Sequence, residues 1–304
     1  MTTIRLDREW DAGRPVDLAG TLGPLVRGAG DPAHRFAADG FWWACMTPAG
    51  PGTLQLTARG QRVGAAAWGT GAAWLLERVP ALLGASDDWS ALDLAEHPRL
   101  REIRRRRPGL RLPATGLVLD SLVPAILEQR VTGMDARRAW RHLLHRFGAA
   151  APGPHPGLRI PPTADVLLEV PTWDWHRFGV DLHRQRAVRA AATVAGRLEE
   201  CTSLQRDEAL RRLRLIPGVG DWTAAETAQR AWGDPDAVSV GDYHIKDVVV
   251  HWFTGRPRGT DEQMLELLGA WPGTRQRVVR LVEVSGVGKP RFGPRLAPVD
   301  IRAI

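Results

Sequence analysis

The stretch from Leu213 to Asp247, LRLIPGVGDWTAAETAQRAWGDPDAVSVGDYHIKD, limits the fold of this 304-residue chain more than any other. Pro217-Gly218 must end a helix, and Gly218-Val219-Gly220 supplies positions free to take positive φ. Before the break, Leu204, Leu210 and Leu213 follow at near-helical spacing, and Thr202 with Gln205 has the form of a capping box. After it, a second helix is predicted from Asp221 or Trp222 through Ala225, Ala228 and Trp232 to Gly233. Asp242 then opens a third apolar-periodic segment through Ile245, Val248, Val249 and Trp252.

Two properties of this string point to chemistry. Free amides at a glycine turn that opens a helix carry partial positive charge and suit a phosphate. Carbonyls of the same turn, those of Leu215 and Val219, are candidates to hold a monovalent cation. The plainer alternative is an αα-hairpin whose glycines only permit the turn. Asp242 likewise has a plain reading, as the N-cap of the segment it opens. A capping Asp can also face a cleft, so the two readings do not exclude each other.

Leu213-x-x-Ile216-Pro217-Gly218-Val219-Gly220-x-x-Thr223-Ala224 resembles the hairpin consensus of the helix-hairpin-helix DNA glycosylases, and within them 3-methyladenine DNA glycosylase II. Val240-Gly241-Asp242-Tyr243-His244-Ile245-Lys246 is similar to the segment that carries the family's catalytic Asp. Upstream, Arg107-Pro108-Gly109-Leu110-Arg111-Leu112-Pro113 and Ala125-Ile126-Leu127-Glu128-Gln129-Arg130-Val131-Thr132 resemble the stretch entering that family's helical domain. The detailed resemblance covers roughly residues 105–285 and is only topological over the N-terminal third. It implies a mostly α fold preceded by a small antiparallel sheet, double-stranded DNA as partner, and hydrolysis of an N-glycosidic bond in base excision repair. Positive charge builds on the sugar in such a reaction, and one ionised carboxylate, Asp242, would stabilise it and orient the attacking water.

The residues around Asp242 narrow the expectation. Lyase-competent members carry a Schiff-base Lys in the second hairpin helix, where this chain has Trp222. Its only lysines are Lys246 and Lys289, and arginine is too basic to act as an amine nucleophile. The expectation is a monofunctional enzyme that leaves an abasic site. Cys45 and Cys201 are too few for a four-thiolate iron–sulfur cluster. The resemblance assigns DNA contacts to Pro217, Gly218, Val219, Gly220, Thr223, Gln129, Arg130 and Lys246. Arg130 stands where the family inserts a side chain into the stack vacated by a flipped base, although an arginine on a surface helix is also ordinary. Trp222, Glu226 and Tyr243 are the expected pocket lining. Trp222 keeps an aromatic wall suited to an electron-poor alkylated purine, whereas Glu226 departs from the family's aromatic there. Glu226 either pairs with Arg230 at i,i+4 or accepts hydrogen bonds from an exocyclic amine.

A net charge of +7, carried almost wholly by arginine, favours an anionic partner. The layout read from the chain is an N-terminal α+β domain over 1–110, a helical glycosylase domain over 111–285 and a basic Pro/Gly-rich tail over 286–304. The absence of a long apolar run or a signal-peptide core, with two separated cysteines, fits a monomer in a reducing cytoplasm at the nucleoid. Two other classes stay open: a glycosylase of the same fold for a deaminated, mismatched or oxidised base, and a non-catalytic DNA-binding protein.

Overall fold

The computed structural model describes residues 4–288. Strands β1 (Arg5–Asp11), β2 (His34–Ala37), β3 (Gly40–Thr47), β4 (Gly50–Arg59) and β5 (Arg62–Trp68) form one antiparallel sheet in the order β1-β5-β4-β3-β2. A short helix α1 (Leu18–Leu22) precedes β2, and α2 (Ala72–Leu82) follows β5. Phe41, Trp43 and Cys45 of β3 join Leu54, Leu56, Val63 and the apolar side of α2 in one core. Trp42 and Ala44 point to the opposite face, where they meet Trp68, Leu158 and Ile160. Both faces of β3 are therefore buried, which is why residues 41–46 read as an unbroken apolar run while β4 alternates.

Helix α3 (Pro98–Arg106) leads into the helical part. There α4 (Val118–Leu127), α5 (Gly133–Phe147), α6 (Ala164–Glu169), α7 (Thr172–Arg177), α8 (Leu182–Thr193) and α9 (Ala195–Glu199) share a core with α10 (Arg206–Arg214) and α11 (Asp221–Ala231). A two-residue pairing of β6 (Ala149–Ala150) with β7 (Arg159–Ile160) ties down the loop after α5. Helices α12 (Ile245–Thr254), α13 (Asp261–Leu267) and α14 (Arg275–Val284) build a further core. Trp89, Leu100 and Leu110 belong to that third core. Residues 89–110, placed with the sheet on sequence grounds, thus pack on the C-terminal helices.

Helix α4 runs through the middle of the helical part, and its contact face is mainly against α11. Every residue of α4 but Asp120 is buried, and Pro124 sits inside a continuous helix rather than at a restart. Its open N-terminus is closed from outside, since the Glu199 carboxylate accepts from the amides of Val118 (2.8 Å) and Leu119 (2.9 Å).

Several local expectations change. Thr202 lies in a 3₁₀ turn and donates to the Glu199 carbonyl, so α10 starts at Arg206 without the capping box. The helical run breaks at Val194 between α8 and α9, although its apolar spacing runs on through that residue. Arg184 of α8 is 2% exposed and donates to the carbonyls of Leu127 and Gly179. In the run 104–107, Arg104 closes the helix end by donating to the carbonyls of Arg107, Pro108 and Leu110, while Arg105 and Arg106 pair with Glu102 and Arg107 with Asp17. Most of the expected tail, from 289 on, lies outside the described residues.

Candidate active site

The hairpin forms as its sequence requires. Gly218 has φ +86°, and a Cβ there would stand 2.9 Å from the Ala187 methyl, so both backbone and space demand glycine. Gly220 behaves differently: it caps α11 at φ −99°, and a Cβ on it would meet nothing within 4 Å. One glycine makes the turn and the other leaves its outer side open. The amides of residues 220–223 at the start of α11 have no intrahelical partner. Pro217, Gly218 and Gly220 are exposed, Leu215 is 67% exposed, and Val219 is buried.

Gln129 and Thr223 turn out to brace this turn. The Gln129 amide donates to the Gly218 carbonyl and to the Thr223 hydroxyl, both at 2.8 Å. Thr223, expected among the DNA contacts, is 2% exposed, so its side chain lies beneath the hairpin surface. The next residue, Arg130, is exposed and takes φ +54°, the one non-glycine at positive φ among the described residues. A left-handed conformation outside glycine is strained, and such strain concentrates at functional positions.

Asp242 reaches the site from the loop before α12. Its Oδ1 accepts from the amides of His244 (2.7 Å) and Ile245 (2.9 Å), which caps α12. Its Oδ2 accepts from the Trp222 indole N–H at 3.0 Å. The carboxylate is thus fixed by three donors while the residue stays half-buried. Lys246, one turn on, donates to the Asp242 carbonyl at 2.9 Å and lies 3.8 Å from Asp261, which in turn accepts from the Gly241 amide at 3.0 Å. The single Lys near the carboxylate is therefore engaged in the loop itself.

Glu226 adopts the pairing arrangement. It is 9% exposed, with Oε2 on Arg230 at 2.8 Å and Oε1 accepting from Ser239 at 2.5 Å. Burial works against the Arg230 guanidinium, but the charges of Glu226, Glu128 and Glu283 outweigh it and hold Arg230 above its ordinary value. Tyr243 is 75% exposed, its ring edge-on to His244, which puts it at the rim rather than in an enclosed lining. A cleft of about 180 Å³ does lie nearby, lined by Leu210, Ala224, Ala225, Val238 and Arg275 among others, but Trp222, Glu226 and Asp242 are not in its walls. Ser239, Gln229 and Asp261 were not singled out from sequence. The signal available was the spacing 222, 226 and 229 along α11, one helical face directed at one loop.

Among the described residues no group of His, Cys, Asp and Glu is arranged to hold a metal, and no helix is long and apolar enough to cross a membrane. No protein-family model matches the chain. Among curated proteins it is 32% identical over 158 residues to the "Probable bifunctional transcriptional activator/DNA repair enzyme AlkA" of Mycobacterium tuberculosis, covering 50% of this chain and 31% of that protein. It is 30% identical over 142 residues to DNA-3-methyladenine glycosylase 2 of Escherichia coli, covering 46% of this chain and 50% of the other. The chain thus spans half or less of the length of these relatives. In fold it matches a 3-methyladenine DNA glycosylase from Archaeoglobus fulgidus with TM-score 0.73 at 17% identity, covering 93% of this chain and 98% of that one. The Clostridium acetobutylicum 8-oxoguanine glycosylase/lyase matches with TM-score 0.70 at 12% identity, with the same coverage. The hairpin string, the carboxylate 20 residues after Trp222 and these likenesses agree: about half of the chain is similar in sequence to AlkA and to DNA-3-methyladenine glycosylase 2, and its fold is that of the solved DNA glycosylases it matches.

Proposed function

We propose that this protein is a monofunctional DNA glycosylase that binds double-stranded DNA, flips out an alkylated purine and hydrolyses its N-glycosidic bond in base excision repair. The observation that carries the reading is the single oriented carboxylate of Asp242, with Trp222 where a lyase would need an amine. Breakage of the bond between C1′ and the base leaves positive charge on the sugar. The Asp242 carboxylate stabilises it and directs a water to C1′. The water's proton passes to the carboxylate or to solvent, and the base departs with the bonding electrons.

The choice of base follows from what else the site offers. Glu226 is committed to Arg230 and Ser239, so it does not stand ready as an acid to protonate a leaving group. A purine alkylated on a ring nitrogen already carries positive charge and leaves as a neutral base, so it needs no such acid. Trp222 supplies an aromatic face for that electron-poor ring.

DNA contact is assigned to the exposed hairpin turn and the α11 amides, with Arg130 held in a strained conformation from which it fills the stack. A sodium or potassium ion is proposed for the same turn, which is exposed at Leu215 and open on the outer side of Gly220. Held by the carbonyls of Leu215 and Val219, it would supply charge between the turn and a phosphate.

The test is incubation with duplex DNA treated with a methylating agent, followed by chromatography of released bases and electrophoresis of strands with and without alkali. The expected result is methylpurine release, with strand breaks only after alkali. Breaks without alkali would overturn monofunctionality. Duplex binding without release of methylated, deaminated or oxidised bases would replace the enzyme by a DNA-binding protein.

A further inference from the structure

One face of α11 carries three polar side chains, Trp222, Glu226 and Gln229, and all three reach the loop that ends at Asp242. Trp222 donates to Asp242 itself at 3.0 Å. Glu226 accepts from the Ser239 hydroxyl at 2.5 Å. Gln229 donates to that same hydroxyl at 2.9 Å and to the Ala237 carbonyl at 2.7 Å. The Ser239 carbonyl then accepts the Asp242 amide at 3.2 Å. From the other side, Arg230 holds Glu226 and also donates to the Pro24 carbonyl at 3.0 Å, which anchors the chain of contacts in the N-terminal part of the molecule.

We infer that Ser239, Glu226 and Gln229 are positioning residues that set the placement of Asp242 on α11. The inference rests on the catalytic reading of Asp242 given above. The Ser239 hydroxyl is buried and fully used, as donor to Glu226 and acceptor from Gln229, so it has one orientation. That fixes the backbone carbonyl holding the Asp242 amide, and with it the carboxylate, relative to a rigid helix instead of a free loop. Glu226 is thereby assigned to loop placement and not to base reading, since both of its oxygens are occupied by protein groups. A displacement of about 1 Å at a reacting group can lower a rate by about 100-fold, so a loop-borne carboxylate gains from such a support.

The test uses single-turnover and steady-state base release from methylated duplex DNA, with duplex affinity and thermal stability measured on the same proteins. Ser239→Ala leaves the Glu226–Arg230 pair in place and is expected to lower kcat about tenfold with KM and duplex affinity unchanged. Ser239→Thr, which keeps the hydroxyl, is expected to restore most of the rate, and Gln229→Ala to fall between. Glu226→Gln leaves Arg230 without its ion pair, so its behaviour is read only beside Ser239→Ala. A Ser239→Ala protein with wild-type kcat, or one whose defect is confined to KM, would overturn the inference while leaving the catalytic reading of Asp242 intact. Wild-type protein that releases no base would overturn both.

Discussion

Asp242 uses its two oxygens for different tasks, one capping α12 and the other meeting the Trp222 indole. The two substitutions Asp242→Ala and Asp242→Asn should therefore separate. Alanine removes the cap as well as the charge and should lower stability by about 1 kcal/mol in urea denaturation. Asparagine retains an oxygen for the cap and should stay within a few tenths of a kcal/mol of wild type. Trp222→Phe keeps an aromatic face but deletes the N–H donor, and should reduce base release about tenfold with little change in thermal midpoint. Residue roles at this scale were only partly legible. Asp242 was readable because spacing from a glycine turn marks it, and so was the Glu226–Arg230 pair, because i,i+4 spacing permits it. Ser239 escaped notice because a lone serine in a loop acquires meaning only once α11 is seen packed against it.

The hairpin and helix α4 carry the predictions at the scale of elements. Gly218→Ala forces a Cβ toward Ala187 at positive φ and should destabilise by more than about 1 kcal/mol, with a parallel loss of duplex affinity. In α4, burial pushes the Asp120 carboxyl up to about 7, and the nearby Glu199 charge adds to the rise. Its Oδ2 is buried without a hydrogen-bond partner. A carboxyl raised in the folded state contributes stability that is complete below its unfolded pKa and is lost as pH rises through about 7. Relative to Asp120→Asn, wild-type stability should therefore fall by a few kcal/mol between about pH 5 and about pH 8, as read from paired denaturation curves. The hairpin was legible because glycine and proline act locally. The break at Val194 and the early end of the Thr202 capping box were not, because apolar spacing runs on through both and only tertiary packing interrupts it.

Three buried cores knit the sheet, the central helices and the C-terminal helices into one frame for the site. The resemblance implied the small antiparallel sheet and periodicity marked the hairpin helices, yet neither could show that residues 89–110 pack on α12 and α14, since that pairing links segments more than a hundred residues apart. The full chain carries a net charge of +7. Duplex affinity should accordingly fall steeply as salt is raised, with a slope that reports the number of phosphates contacted. The most direct test of the whole account is the single-turnover rate of methylpurine release by wild type and Asp242→Asn, with duplex affinity measured for both. The account predicts release by wild type and at least about a 100-fold slower rate for the variant at equal affinity. Release by Asp242→Asn at the wild-type rate would contradict it.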